Sequence, residues 1–321
     1  MGFALLFALC VAIVCLWEMV GLWAETSPVE TQMNTGNLDD LALSLDDLRH
    51  QIDTLDDEIH QRLMRRTEIV HRVAGLKAHA TGGERGLAMR MAREAMIMRR
   101  LAARHEGALP VQVIFHLWRT LFAASIIIES GFSVGIYGGG AMPQMRDLAY
   151  RIYGGAITPV FYDSAGALME ALTQDSHMMA LFPSPDLRAE NNDWWCHLAD
   201  VEENSPRVVA RLPFLVRKSL SGEPSFLAVA RALYEPSGED TTLIRIATPK
   251  PIKTQESEAL FESCELAGRL MAQGVLSGSN NANLVALDGF IPQDDKRLLA
   301  LGRQGKKLSW LGGFPNPVIV P

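Results

Sequence analysis

The chain is poor in cysteine, and this scarcity argues against a disulfide-stabilised fold and a cysteine-based metal site. Only 4 cysteines occur in 321 residues. Two of them lie in an apolar N-terminal run, and the others, Cys196 and Cys264, are far apart in the sequence. No pair has the spacing of a zinc motif. The 8 histidines are scattered as well, so the sequence predicts neither a metal site nor a catalytic triad.

An excess of positive charge is also missing. Lys and Arg number 30 against 37 Asp and Glu, which gives a formal net charge of -7 at pH 7. Nucleic-acid phosphates select basic surfaces, so this balance predicts no nucleic-acid partner. We interpret the basic segment Met89–Arg104 as the rim of an anion-binding site.

The apolar run Met1–Trp23 has no Lys or Arg at its start, whereas a secretory signal peptide begins with such residues. The run contains Glu18 and is barely long enough to span a bilayer. We treat residues 1–37 as an apolar segment and linker, and we favour a cytoplasmic protein with Met33 as a second start site. An uncleaved anchor, with membrane contact through residues 2–23 only, is the alternative.

A heptad pattern of apolar residues from Leu45 to Lys77 predicts one long helix. The a and d positions of the heptads form a seam along the helix. Two seam positions are cationic, Arg62 and Arg66, and Lys77 follows the last seam residue. A buried guanidinium needs a carboxylate or an anionic ligand, so these cations indicate a bound anion. The alternative is that both arginines lie at the edge of a helical bundle and extend into water.

Polar residues also interrupt the apolar stripe of the predicted helix Val111–Phe132. Ser125 and Glu129 are one turn apart and therefore face the same side of that helix. Polar residues on a core stripe form a hydrogen-bonded network or line a cavity. Between the two long helices lies a basic, Met-rich amphipathic segment that carries Arg93 and Glu94.

This ordered set of charges on three predicted helices resembles the all-helical class of chorismate mutases, over about residues 41–132. The residues that carry the resemblance are Leu48-Arg49, Ile52-Asp53, Leu55-Asp56, Arg65-Arg66, Lys77, Arg93-Glu94, Leu117-Trp118-Arg119, Ser125 and Glu129. It implies a helical domain at residues 38–132 that rearranges chorismate to prephenate without metal or other cofactor. Such catalysis rests on holding a dianion in a compact conformer and stabilising charge on its ether oxygen.

The resemblance also implies a role for each matching residue. Arg66 would bind one carboxylate of the substrate, and Lys77 would donate to the ether oxygen. Glu94 would accept from the ring hydroxyl, with Arg93 beside it shaping the pocket. Ser125 would help to hold the ring carboxylate.

Glu129 departs from many bacterial relatives, which have a glutamine as a second donor to the ether oxygen. A carboxyl group donates a hydrogen bond only when it is protonated. If Glu129 is catalytic, activity should therefore fall as the pH rises.

Arg49 would complete the site from a partner subunit. It lies 17 residues before Arg66, which is roughly 25 Å along a continuous helix and too far for one small substrate. An antiparallel homodimer with interleaved long helices would bring Arg49 of one subunit to Arg66 of the other and form two shared sites.

The sequence changes character near Ser133, where short β-rich runs begin to alternate with helical ones. This pattern predicts an α/β lobe at residues 133–218. From Thr241 the order βαββαβ predicts a ferredoxin-like domain within residues 225–321, with residues 256–274 as one helix. The expected fold class is multidomain, α and α+β.

Both later parts resemble the bifunctional chorismate mutase and prephenate dehydratase proteins. Leu148–Pro183 resembles the first dehydratase lobe, and Leu287–Phe314 resembles the end of an amino-acid-binding ACT domain. Ser205-Pro206-Arg207-Val208 stands where that family has Thr-Arg-Phe, and residues 183–200 are too few for its second lobe. We therefore expect a degenerate lobe without dehydratase activity, and an ACT-like remnant rather than a phenylalanine sensor.

Three further interpretations compete with this one. A non-catalytic regulator would bind an aromatic amino acid through its later domains while its helical part only dimerises. A bifunctional enzyme would retain prephenate dehydratase activity. The glycine-rich stretch Tyr137–Pro143 also invites a dinucleotide-binding interpretation, but a lone glycine cluster is usually a strand-to-helix turn.

Overall fold

A computed structural model of the chain describes residues 44–80, 89–138, 142–153, 157–186, 192–198, 205–217, 225–276, 280–303 and 307–320. The apolar N-terminal segment, the glycine-rich break after the first long helix and part of the glycine cluster after Tyr137 lie outside these residues. The chain divides into two compact units, Met1–Arg62 and Leu63–Pro321.

The described elements of secondary structure before Ser133 are all helices. They are α1 Leu45–Ala80, α2 Met91–Arg104 and α3 Val111–Ser130. α1 begins at a reciprocal cap, in which the Ser44 hydroxyl accepts from the Asp47 amide and the Asp47 carboxylate accepts from the Ser44 amide. α3 ends at Gly131, whose φ of 74° favours glycine. The predicted helical region is thus confirmed.

The apolar seam of α1 is exposed to solvent. Leu45 is 64% exposed, Ile52 57% and Leu76 72%. The Arg62 side chain is 81% exposed and lies 3.7 Å from Glu58. Arg62 therefore extends into water, as the alternative interpretation of this residue predicted. A single chain therefore leaves unburied the stripe that its heptad pattern marks for burial.

The rest of the described chain is an α/β region built around one long sheet. Its strands are β1 Ser133–Ile136, β2 Val160–Phe161, β3 Met178–Pro183, β4 Arg207–Leu212, β5 Leu215–Arg217, β6 Phe226–Ala230, β7 Asp240–Thr248, β8 Gly268–Val275, β9 Asn281–Asp288, β10 Lys307–Pro315 and β11 Val318–Val320. Its helices are α4 Met142–Tyr153, α5 Ala165–Gln174, α6 Thr254–Glu262 and α7 Lys296–Gly302. The described strands follow the order β2-β1-β3-β6-β4-β10-β7-β9-β8, and β5 pairs separately with β11.

The sheet continues from the predicted α/β lobe into the predicted ferredoxin-like part, because β10 pairs in parallel with β4. Gly312 lies opposite Val208 at this pairing and has a φ of 97°. A Cβ at Gly312 would overlap the Val208 carbonyl oxygen, so glycine permits the close approach. Strand β6, which the sequence boundaries placed with the second domain, lies between β3 and β4 of the first.

The βαββαβ order predicted from Thr241 onward is confirmed by β7, α6, β8, β9, α7 and β10. The prediction of one helix over residues 256–274 is wrong, since α6 ends at Glu262 and Gly268–Val275 forms β8. Glu265 makes the reversal with a φ of 55°. β8 then gains a backbone ladder with β9, a tertiary contact that overrides the helical periodicity of this stretch.

Both faces of the sheet bury apolar side chains. On one face, Leu148 and Ile152 of α4 share a core with Ala123 and Ile126 of α3. On the other face, Phe182 stacks on Trp194 with ring centroids 4.4 Å apart. α3 is therefore held against the α/β region through Ala123 and Ile126.

Candidate active site

Arg66 of α1 and Ser125 of α3 are in direct contact. Arg66 Nη1 donates to Ser125 Oγ at 2.8 Å, and the Ser125 hydroxyl donates to the Leu121 carbonyl at 2.6 Å. Because the hydroxyl proton is directed to the helix backbone, the oxygen meets Arg66 as an acceptor. Partial burial lowers the pKa of Arg66, and the charge of Glu129 opposes this effect. An arginine nevertheless stays protonated in proteins.

Lys77 and Glu129 form a second contact between the same two helices. Lys77 Nζ lies 2.7 Å from Glu129 Oε2, and the side chains are 48% and 14% exposed respectively. Ser125 and Glu129 thus face the same side of α3, as their spacing predicted. Arg66, Lys77, Ser125 and Glu129 are called the α1–α3 cluster below.

The α1–α3 cluster is suited to an anionic ligand. It has two cations, one carboxylate and one hydroxyl, so one positive charge is not balanced within it. Arg66 makes no other hydrogen bond with the described residues, which leaves most of its N–H groups for a carboxylate. Partial burial strengthens such contacts because it reduces screening by water.

Arg49 lies in the other compact unit, on the first turns of α1. Its Nη1 is 3.1 Å from Asp46 Oδ1, and its side chain is 66% exposed. Within this unit, therefore, Arg49 is a surface residue beside a surface carboxylate.

Glu94 of α2 is in contact with Arg119 of α3. Its carboxylate accepts from Arg119 Nη1 at 2.9 Å, and both side chains are 11% exposed. Burial raises the pKa of Glu94, while the charge of Arg119 opposes the rise. The Glu94–Arg119 pair is packed beside Tyr153 of α4. The structure thus places Glu94 at the joint with the α/β region, and no described hydrogen bond links it to the α1–α3 cluster.

Arg93, the neighbour of Glu94, is exposed and has no hydrogen bond or ion pair with the described residues. Sequence reasoning did not assign a role to Arg119, which entered only as part of the run Leu117-Trp118-Arg119. The signal was present, because an arginine on a mainly apolar helix needs a partner when it is buried.

Two other properties of the described residues bear on the site. No group of three or more His, Cys, Asp or Glu side chains among them is placed to hold a metal ion. Among the same residues, α3 is long and apolar enough to cross a membrane. Core helices of soluble proteins share that composition, and α3 bonds to Arg66 and Lys77 through its polar residues.

The helical region matches a known family model. Residues 48–130 match the family model described as chorismate mutase type II. This range runs from the first turn of α1 to the last residue of α3, and it confirms the resemblance predicted for about residues 41–132. No curated protein matches the chain.

Several solved structures are similar to the chain at low sequence identity. One, described as "GqqA- a novel type of quorum quenching acylases", is 14% identical, with a TM-score of 0.41 over 57% of this chain and 94% of that one. Prephenate dehydratase from Streptococcus mutans is 10% identical, with a TM-score of 0.40 over 59% and 100%. Prephenate dehydratase from Staphylococcus aureus subsp. aureus Mu50 is 11% identical, with a TM-score of 0.41 over 57% and 100%.

Such low identities and scores transfer no activity to this chain. The match of sequence, by contrast, coincides with the helices that form the α1–α3 cluster. Residues 48–130 are therefore similar to chorismate mutase type II, and a mixed α/β region follows them.

Proposed function

We propose that the helical region is an isomerase that rearranges chorismate to prephenate, in the biosynthesis of phenylalanine and tyrosine. The observation that carries this proposal is the α1–α3 cluster. Arg66–Ser125 at 2.8 Å and Lys77–Glu129 at 2.7 Å bring cations and polar partners together, within a segment that matches chorismate mutase type II.

The cluster supplies what this reaction requires. Chorismate is a dianion that must adopt a compact conformer, and Arg66 can hold a carboxylate with two parallel N–H groups. Ser125 would hold the ring carboxylate beside it. As the ether bond breaks, negative charge grows on the ether oxygen, and the Lys77 ammonium stabilises that charge more strongly than the ground state. A protonated Glu129 would donate to the same oxygen.

Arg49 enters the proposal through a second copy of the chain. The exposed α1 seam, with Ile52 57% and Leu76 72% exposed, is a long apolar stripe of the kind that packs against another helix. We propose that an antiparallel copy covers it and delivers its Arg49 to each α1–α3 cluster. The functional species is then a cytoplasmic homodimer with two shared sites.

Loss of chorismate absorbance, followed with the purified full chain, tests the activity. We expect turnover without added metal or nucleotide, and a fall in kcat/KM of about 100-fold or more for Arg66→Ala and for Lys77→Ala. Arg72→Ala is the matched control, because it removes an exposed cation between them on α1 that has no described hydrogen bond or ion pair. An inactive wild-type chain would support the non-catalytic regulator instead.

Mixing two inactive variants tests the shared site. If Arg49 serves the partner's cluster, a heterodimer of Arg49→Ala and Arg66→Ala chains has one intact site and one doubly defective site. Random exchange of subunits should then restore about one quarter of wild-type activity. If Arg49 served its own chain, the mixture would stay as inactive as its components, and if Arg49 served no site, the Arg49→Ala chain would be active by itself.

A further inference from the structure

A cavity of about 340 Å³ lies where α2 and α3 meet the α/β region. None of the residues of the α1–α3 cluster lines it. The residues that surround it come from α2, α3, α4, the β4–β5 connection and the start of β5, and they include Phe115, His116, Arg119, Leu148, Arg151 and Phe214. It is a different site from the proposed active site.

The cavity has an apolar interior and a polar rim. Phe115 is 4% exposed, Phe214 7% and Leu148 2%, so its deeper wall consists of aromatic and aliphatic side chains. His116 and Arg151 are exposed residues of the same lining. This arrangement fits a ligand with a flat apolar body and one polar end.

The charge of the lining has one sign. Arg119 and Arg151 are cations, and none of the residues that line this cavity carries a carboxylate. The nearby carboxylate of Glu94 already accepts from Arg119 Nη1. That bond uses one of the five N–H groups of Arg119, and the guanidinium makes no other hydrogen bond with the described residues. The remaining donors are suited to an oxyanion.

We propose that this cavity binds a small aromatic carboxylate that has no α-ammonium group. Its volume of about 340 Å³ lies in the usual range for small-molecule sites and accommodates one aromatic ring with a short acidic side chain. Phe115 and Phe214 provide aromatic walls, and Arg119 and Arg151 provide partners for the carboxylate. An ammonium group would have no anionic partner among the lining residues, so a free amino acid is disfavoured.

Calorimetric titration of the full chain tests this specificity with four probes. We expect 3-phenylpropionate to bind saturably, with a dissociation constant below about 1 mM. The neutral 3-phenylpropionamide, L-phenylalanine and propionate should each bind at least about tenfold more weakly. The proposal is overturned if 3-phenylpropionate does not bind, or if the amide or the amino acid binds equally well.

Variants locate the binding in this cavity. Arg151→Gln should weaken 3-phenylpropionate about fivefold, a modest factor because an exposed charge is screened by water. Arg100→Gln is the matched control, an exposed α2 arginine outside the lining without a described hydrogen bond or ion pair, and it should leave the affinity unchanged. Leu215→Trp fills the cavity from a partly exposed position and should abolish binding.

Circular dichroism and the melting temperature establish that each variant is folded. Unchanged affinity in folded Leu215→Trp, or equal losses in Arg151→Gln and Arg100→Gln, would place the ligand elsewhere and reject the proposal. Because binding is measured directly, the result does not depend on whether the helical region turns over chorismate.

Discussion

The long helix α1 and the central sheet are both patterned by apolar residues, yet the structure treats them differently. Strand β6 is buried along its length, and Phe182 of the neighbouring strand stacks on Trp194 at 4.4 Å. On α1, by contrast, Ile52 is 57% exposed. The comparison shows that an apolar pattern identifies the residues that require burial but not the chain that buries them.

The largest expected effect lies in the sheet. Phe182→Ala removes a fully buried ring from its stack on Trp194 and should lower the free energy of unfolding by about 3 to 5 kcal/mol in urea titrations. Ile52→Ala should change it by less than about 1 kcal/mol at the lowest protein concentration, because the residue is exposed in a single chain. Sedimentation should instead show weaker self-association. Equal losses of unfolding free energy in Phe182→Ala and Ile52→Ala at that concentration would contradict the difference between the two regions.

The next effect concerns the joint between the two regions. Arg119→Met leaves the Glu94 carboxylate buried without its cation and should cost about 3 kcal/mol of unfolding free energy. Glu94→Gln keeps an acceptor for Arg119 and should cost about 1 kcal/mol. Urea titrations of both variants at pH 7 provide the measurement. Equal costs would mean that Glu94 is not an ionised partner of Arg119.

The same pair predicts a dependence of stability on pH. Burial raises the pKa of Glu94 above its ordinary value of 4.5, so the folded protein holds this proton more tightly than the unfolded chain does. The contribution of Glu94 to the free energy of unfolding is therefore fully present below that ordinary value, and it is lost as the pH rises through the raised pKa. Glu94→Gln should flatten this part of the profile in urea titrations at several pH values. Arg119→Met should steepen it, and a parallel profile for both would contradict the assignment.

The smallest expected effect is that of Glu129→Gln in the proposed active site, because this variant should retain turnover of chorismate. The amide donates a hydrogen bond at every pH, whereas a carboxyl group donates only when protonated. The variant should thus keep a kcat/KM close to that of the wild-type chain, as measured from the loss of chorismate absorbance. Glu235→Gln is the control, since Glu235 pairs with Arg90 at 2.7 Å instead. Abolished turnover in Glu129→Gln would reject the role of Glu129 as a donor.

Much of the helical region could be predicted, because the helices and the shared face of Ser125 and Glu129 follow from spacing within one element. Ser125 and Glu129 are one turn apart, and the structure brings them to Arg66 and Lys77. The partner of Glu94 could not be read in this way, because Arg119 lies on another helix and the pair depends on how α2 and α3 pack together. Glu94, Arg93 and Arg49 keep their proposed roles as predictions.

In the α/β region, local pattern was a weaker guide. Gly268–Val275 has helical periodicity, but its backbone pairs with β9, and the turn at Glu265 decides the outcome. The parallel pairing of β4 with β10 joins strands that are about 100 residues apart in sequence. No short-range pattern predicts this pairing. The hydrogen bonds between two strands depend on which strands meet, and not on the residue spacing within either strand.

The sequence by itself determined the three helices before Ser133 and the order of the ferredoxin-like elements, since each follows from residue type and periodicity. The tertiary structure alone decided the continuous sheet, the burial of Glu94 against Arg119 and the cavity beside Phe115. These features depend on distances between side chains far apart in the sequence. Packing fixes such distances, and a pattern within one element does not.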